Sequence, residues 1–263
     1  MNTQFAFFPM ALISCVCSLV HAQSEFYRPV VPPHLKEGGV VGPALVAGRE
    51  YLGSNKSTAR ILPSIDYQWG NGFFAGVRNG IGYNASKQPD LAYGLRLTPN
   101  LGRKERRDDA LRGLGDIDPR AEVGAFLNFS PMPNISLNSS LRYGSGKEKN
   151  GLLMDLGAGW STSLNSSVRL GTALSTTWMN AKHAQEYFGI SADQSTRSGY
   201  SRFNPDGGFR DVRLGVSLQY RIVPTWSLSG AVTHSVLLGD AQRSPIVRDK
   251  AATTAVLALA YHF

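Results

Sequence analysis

The sequence predicts an all-β chain: an antiparallel transmembrane β-barrel of twelve strands, with ten as the alternative count. Three observations carry this. Apolar and polar residues alternate over runs longer than the roughly 5–6 residues of a globular strand, and a membrane-crossing strand needs about 9–11. Tight turns alternate with long polar loops, the pattern of outer-membrane barrels. An export-type segment opens the chain, and no later apolar run approaches the roughly 18 residues of a spanning helix.

Composition agrees. The 263 residues allow one large β domain or two ordinary ones. Charged residues make up 17%, against about 25% in soluble domains. The net charge of +8 raises the question of nucleic acid. The basic residues, however, are spread through the strand pattern, and their one cluster, GRKERRDD at 102–109, has acids beside it. We expect no nucleic-acid partner; anionic lipid, lipopolysaccharide or cell-wall polyanion suits the charge better.

The N-terminal stretch FAFFPMALISCVCSLVHA fits a signal peptide over residues 1–22, cleaved after Ala22, although MNTQ before it carries no cation. Both cysteines, Cys15 and Cys17, fall inside it. The exported chain would then have no disulfide and must be held by packing or sheet closure. The Pro-rich residues 23–37 read as a periplasmic N-terminal arm, and 38–263 as the barrel.

The strands follow in order. Residues 40–50 and 59–69 form the first pair, with Ile61, Ile65 and Tyr67 opposite Asp66. Residues 72–86 supply a short pair broken at Asn79-Gly80, a strong hairpin turn. Then come 90–98 (Leu95 and Leu97 against Arg96), 121–130 (Val123 and Leu127 against Glu122), 134–144 (Leu141 and Tyr143 against Arg142) and 152–162 (Met154 and Leu156 against Asp155). Residues 166–178 set Leu170 and Leu174 against Arg169. Residues 209–222 put Val212 through Ile222 on one face, with Asp211, Arg213 and Arg221 on the other; 225–238 and the terminal ALALAYHF complete the count. In a barrel the charged face turns to the lumen. The predicted lumen set is therefore Asp66, Arg96, Glu122, Arg142, Asp155, Arg169, Asp211, Arg213 and Arg221. Near the outer mouth, Asp211 needs a cationic partner from a neighbouring strand or the loop 179–208, and Arg202 and Arg213 are the nearest candidates in sequence. Leu257, Leu259, Tyr261 and the terminal Phe263 share the outward face and read as a signal for the barrel-assembly machinery.

Several stretches carry more than patterning: RILPSIDYQW, NGFFAGVRNGIGYNAS, LRLTPNLGRKERRD with LRGLGDID, EYFGISADQSTRSGY, FRDVRLGVSLQYRIVPTWSLSG, LLGDAQRSPIVRDK and YHF. In this order they resemble the MipA/OmpV family of outer-membrane proteins, the MltA-interacting protein family. The resemblance implies a barrel in the outer membrane of a Gram-negative bacterium. It implies a non-enzymatic scaffold that couples a lytic transglycosylase to a bifunctional murein synthase in peptidoglycan assembly, with a porin-like channel for small solutes as the alternative, anions being favoured by the positive excess of the lumen set. For a scaffold the short turns offer little surface, which makes the arm around Tyr27–Leu35 the candidate contact.

Catalytic chemistry finds little support. His234 and Ser235 are neighbours in a strand and point to opposite faces. His183, Glu186 and Asp193 make a loose set with a single histidine, which is weak for a metal. Asp108, Asp109, Asp116 and Asp118 lack the spacing of a calcium loop and read as solvated turns. No G-x-S-x-G, H-E-x-x-H or P-loop pattern is present. No enzyme activity, cofactor or metal is expected. The apolar residues of YFGIS and SPIV are costly to leave in water and are expected to fold inward or over the barrel mouth, fixing a lid.

Overall fold

A computed structural model describes residues 25–31, 37–146 and 148–263. The predicted signal peptide and both cysteines lie outside these residues. The strands are β1 (Gly38–Arg49), β2 (Ser57–Gln68), β3 (Phe73–Gly76), β4 (Gly80–Asn84), β5 (Leu91–Asn100), β6 (Arg120–Met132), β7 (Ile135–Ser145), β8 (Gly151–Ser163), β9 (Val168–Met179), β10 (Gly208–Val223), β11 (Trp226–Leu237) and β12 (Ala251–His262). Each pairs antiparallel with its chain neighbours, and β12 returns to β1 to close the barrel. Twelve strands, rather than ten, form the wall.

The outer face is apolar because alternation puts it there. Ile61 is 75% exposed and Leu95 66%, whereas Asp66 and Glu122, on the opposite parity of β2 and β6, are at 0%. Leu214, Val216 and Leu218 are likewise exposed on β10. At the end with the short turns, aromatics gather: Tyr67 against Trp69 (4.9 Å between centroids), Phe73 against Tyr83 (5.0 Å) and Trp226 against Tyr261 (5.2 Å). Rings of this kind settle at a membrane interface.

The short hairpin β3–β4 has its own logic. It turns at Asn79-Gly80, where Gly80 adopts φ +77°. The Asp66 Oδ1 accepts from the backbone N–H groups of Arg78 and Asn79, both at 3.3 Å, and so pins the turn. Beyond it, β2 and β5 have no paired strand on that side among the described residues. The Ile65 carbonyl accepts from Val77 and the Tyr93 carbonyl from Ala85, each at 2.9 Å. Every second residue points the same way, so positions 63 and 99 turn their backbone nitrogens to the open edges. Both are prolines, which have no N–H to leave unpaired.

At the opposite end the long loops pack into one cap. Tyr51 from the β1–β2 loop, Leu111 and Leu114 from β5–β6, Ile190 from β9–β10 and Ile246 from β11–β12 form a buried cluster. The β9–β10 loop contributes α1 (Ala181–Phe188) and α2 (Ala192–Ser198), the latter opened by a capping box of Ser191 and Gln194. Phe188 and Ala184 pack with Leu153, Met179 and Leu237 at the strand ends. The Tyr51 hydroxyl donates to the Ile246 carbonyl at 2.6 Å and the Ser244 hydroxyl to the Phe188 carbonyl at 2.5 Å. The YFGIS and SPIV segments thus form a lid.

The arm departs from expectation. Residues 25–31 lie inside the barrel. Tyr27 is 1% exposed, with its ring 4.3 Å from Phe126 and 4.7 Å from Phe74. The Tyr27 hydroxyl donates to Gln68 Oε1 at 3.3 Å, and Asn128 Nδ2 donates to the Tyr27 carbonyl at 2.6 Å. Asn79 holds the Arg28 backbone twice, accepting from its N–H (2.9 Å) and donating to its carbonyl (2.8 Å). Tyr27 is therefore not a free periplasmic contact. Phe74 and Phe126 face inward and give its ring an apolar seat that water does not.

Candidate functional site

Strand alternation brings a charged network together in the outer half of the lumen. Arg142 on β7 reaches two carboxylates: Glu122 on β6 (Nη1 to Oε2, 3.2 Å) and Asp155 on β8 (Nε to Oδ2, 3.0 Å). The Asp155 Oδ1 accepts from the Thr177 hydroxyl on β9 at 2.7 Å. That hydroxyl oxygen accepts in turn from Arg213 Nη2 on β10 at 2.8 Å. Asp211 accepts from Arg210 Nε at 2.6 Å, and its other oxygen lies 3.3 Å from Arg213 Nη1. Charge-assisted bonds of this kind tie neighbouring strands across the interior.

The arm supplies the fourth carboxylate. Glu25 is paired with Arg213, and Arg210 Nη2 lies 3.8 Å from the same oxygen. Arg96 on β5 donates from Nη2 to the Glu25 main-chain carbonyl and, at 2.8 Å, to the Ser140 hydroxyl. Arg96 is 2% exposed, and its Nε and Nη1 have no hydrogen-bond partner among the described residues.

Of the predicted lumen set, Glu122, Arg142, Asp155, Asp211 and Arg213 meet in this network, and Arg96 joins through Glu25. Asp66 stands apart at the β3–β4 turn, with Arg78 Nε at 3.8 Å. Arg169 and Arg221 share the parity of the network but are exposed toward the short-turn end. Asp211 pairs with Arg210 and Arg213, whereas Arg202 is exposed in the loop. Arg210 escaped the sequence reading because strict alternation points it outward. The β9–β10 register shifts between Phe209 and Asp211, so Arg210 and Asp211 are buried side by side. Phe126 carried a readable signal, being an aromatic on the same face as Glu122 and Asn128.

The loop candidates resolve differently. The His183 Nδ1 is 2.7 Å from the Ser145 hydroxyl, and its ring stacks on Tyr187 at 4.4 Å. Burial, reinforced by Arg210 and Arg142, holds its pKa well below the ordinary 6.5, so the ring is neutral. Lys104 takes Asp116 and Asp118 (3.0 and 2.7 Å), Lys56 takes Asp109 (3.2 Å), and Ser54 donates to Asp108 (2.6 Å). Among the described residues no group of three or more His, Cys, Asp or Glu side chains is placed to hold a metal. His234, exposed on the outer face, bonds Thr253 at 3.0 Å.

A closed antiparallel barrel with an apolar outer wall, an aromatic belt and a charged interior defines an outer-membrane protein of a Gram-negative bacterium. The family described as MltA-interacting protein MipA matches residues 41–263. The chain belongs to that family. It is 23% identical over 188 residues to the MltA-interacting proteins of Escherichia coli (strain K12) and Shigella flexneri, a match covering 71% of this chain and 74% of each relative. Solved structures similar to it include the NanC porin, with 9% identity, a TM-score of 0.47 and coverage of 83% of this chain and 98% of that one. The KdgM porin is 11% identical, with a TM-score of 0.45 and coverage of 85% and 99%.

Proposed function

We propose that this protein is a porin-like conduit for small anionic solutes, gated by its own N-terminal arm. The supporting observation is the interior. Arginines from β5, β7 and β10 project into a space crossed by residues 25–31, which are held there by side-chain contacts and aromatic packing. Rings of fixed charge are how pores choose the sign of a permeant. The arm enters from the short-turn end, while the lid covers the other mouth. The protein has no catalytic role in this reading.

Planar-bilayer recording tests it. The wild-type barrel is expected to conduct in short, infrequent openings. Tyr27→Ala, which removes the ring between Phe74 and Phe126, is expected to lengthen them and raise the mean current several-fold. Arg213→Ala is expected to reduce anion preference. Silence from wild type and Tyr27→Ala alike would exclude the conduit.

A second reading rests on family membership and on relatives named for interaction with MltA. Here the barrel is a scaffold binding a lytic transglycosylase and a murein synthase. Crosslinking in intact cells followed by purification of the barrel tests it, and retrieval of neither enzyme would count against it.

A further inference from the structure

The lumen network contains four arginines, Arg96, Arg142, Arg210 and Arg213, and four carboxylates. Three of the carboxylates, Glu122, Asp155 and Asp211, belong to the wall. The fourth, Glu25, belongs to a segment that enters from outside the sheet. The wall alone therefore has one cation in excess at this level, and the arm supplies the missing anion.

The contacts describe the shape of what fits. Glu25 presents two acceptors: its side-chain carboxylate meets Arg213 and Arg210, and its main-chain carbonyl meets Arg96. Three carbons, Cα, Cβ and Cγ, separate these two groups. Arg96 is not saturated by this occupant, because its Nε and Nη1, buried beside the Glu25 carbonyl, have no partner among the described residues. A carbonyl oxygen offers Arg96 less than a second carboxylate would, since a carboxylate can accept from two guanidinium nitrogens at once.

We infer that Arg96, Arg210 and Arg213 form a binding site for small dicarboxylates, and that Glu25 occupies it as an intramolecular competitor. One carboxylate of the ligand replaces the Glu25 side chain at Arg213 and Arg210. The other takes the place of the Glu25 carbonyl and engages the idle donors of Arg96. Arg142 lies outside the exchange, since Glu122 and Asp155 already hold it from both sides. The inference rests on the conduit reading for its physiological setting and deepens it by naming the solute class. The site itself requires only binding.

Glutarate, whose carboxylates are three carbons apart, is the probe. Its binding to the purified full-length barrel is measured by equilibrium dialysis with radiolabelled ligand. Folding of each variant is checked by the shift in gel mobility on heating. Glu25→Gln is expected to bind glutarate at least tenfold more tightly than wild type, because the competitor loses its charge. Adding Arg213→Ala or Arg96→Ala to Glu25→Gln is expected to cost at least tenfold, whereas Arg213→Lys, which keeps a cation, retains measurable binding. Uncharged glutaramide is expected not to compete. Absence of saturable binding in a folded Glu25→Gln barrel, or equal affinity with and without Arg213, would overturn the inference. Bilayer recording separates it from the conduit. Binding without current upholds the site and ends the conduit; current without binding ends the site alone.

Discussion

Phe263 and Gly39 join the last residue of the chain to the first strand: the Gly39 N–H donates to the Phe263 carbonyl at 2.8 Å, and the Phe263 N–H to the Gly39 carbonyl at 3.1 Å. The Phe263 ring lies over Gly39, where an added Cβ would come within 2.6 Å of it. It also stacks on Tyr67 at 5.9 Å. The terminal residue thus belongs to the closing seam as well as to the outward face of Leu257, Leu259 and Tyr261. Deleting Phe263 is expected to lower the amount of heat-modifiable barrel in the outer membrane and expose the chain to periplasmic proteolysis. Gly39→Val, which displaces the ring, is expected to do so more mildly. Fractionation with immunoblotting measures both, and equal levels for all three chains would count against Phe263 as part of an assembly signal.

Arg142 sits between two buried carboxylates. Arg142→Met leaves Glu122 and Asp155 without their shared cation, and breaking a buried pair from one side costs about 3–5 kcal/mol. Urea unfolding in lipid vesicles is expected to show a loss of that order, with Arg142→Lys losing less because the charge remains. A Met variant as stable as wild type would mean that Glu122 and Asp155 are held by their other partners.

Asp211 and Val212 test the facing of β10. Asp211→Ala removes the acceptor of Arg210 Nε and is expected to loosen the loop over residues 183–200 toward added protease, with the barrel still inserted. Val212→Asp puts a charge on the membrane side, at a depth-dependent cost of up to about 2 kcal/mol, and is expected to reduce insertion. Limited proteolysis on whole cells and membrane fractionation read the two effects separately. The reverse pattern would mean that the strand faces the other way.

His183 is expected to make the cap sensitive to acid. Its folded pKa is depressed by burial and by Arg210 and Arg142. Below the ordinary histidine value of 6.5 the unfolded segment takes up a proton that the folded cap refuses. The stability held above that pH is then lost progressively as pH falls toward the depressed value. Protease cleavage within 180–208 is expected to accelerate as pH drops from 7 to 5, and His183→Gln is expected to flatten the response. An unchanged slope in that variant would locate the acid sensitivity elsewhere.

Pro63 and Pro99 flank the gap above the short hairpin. Replacing either by Ala returns an N–H to an edge with no neighbouring strand. Both prolines lie exposed on the membrane-facing wall, where a donor with neither partner nor water costs about 1–3 kcal/mol. Each variant is expected to unfold at lower urea, with the double change close to additive because the prolines lie on different edges. No change in either would mean that the new donors find partners.

Much of the fold was legible because period-two alternation is a local property. It put Ile61, Leu95 and Leu214 outward, and with the Asn79-Gly80 turn it gave a count of twelve. What alternation does not encode is where it fails. Arg210 turned inward through a register shift against β9, which no feature of FRDVRL marks. The arm was illegible for a different reason. Its Pro-rich sequence has no period, and Tyr27 is buried by Phe74 and Phe126 from distant strands. Those two aromatics on the inner face were the available sign that something apolar fills the lumen. Asp211 could be read as needing a cation, but its main partner, Arg210, could not be chosen before the bulge was known.

The seating of Tyr27 between Phe74 and Phe126 separates two properties that a barrel usually joins. Strand number fixes the girth of the hoop, yet the free width here depends on a tail that makes no rung of the ladder. Changing one aromatic or one acid in that tail would rebore the molecule without disturbing a single inter-strand hydrogen bond. Wall and filling are thus free to diverge at different rates, and two proteins with the same hoop need not share a bore.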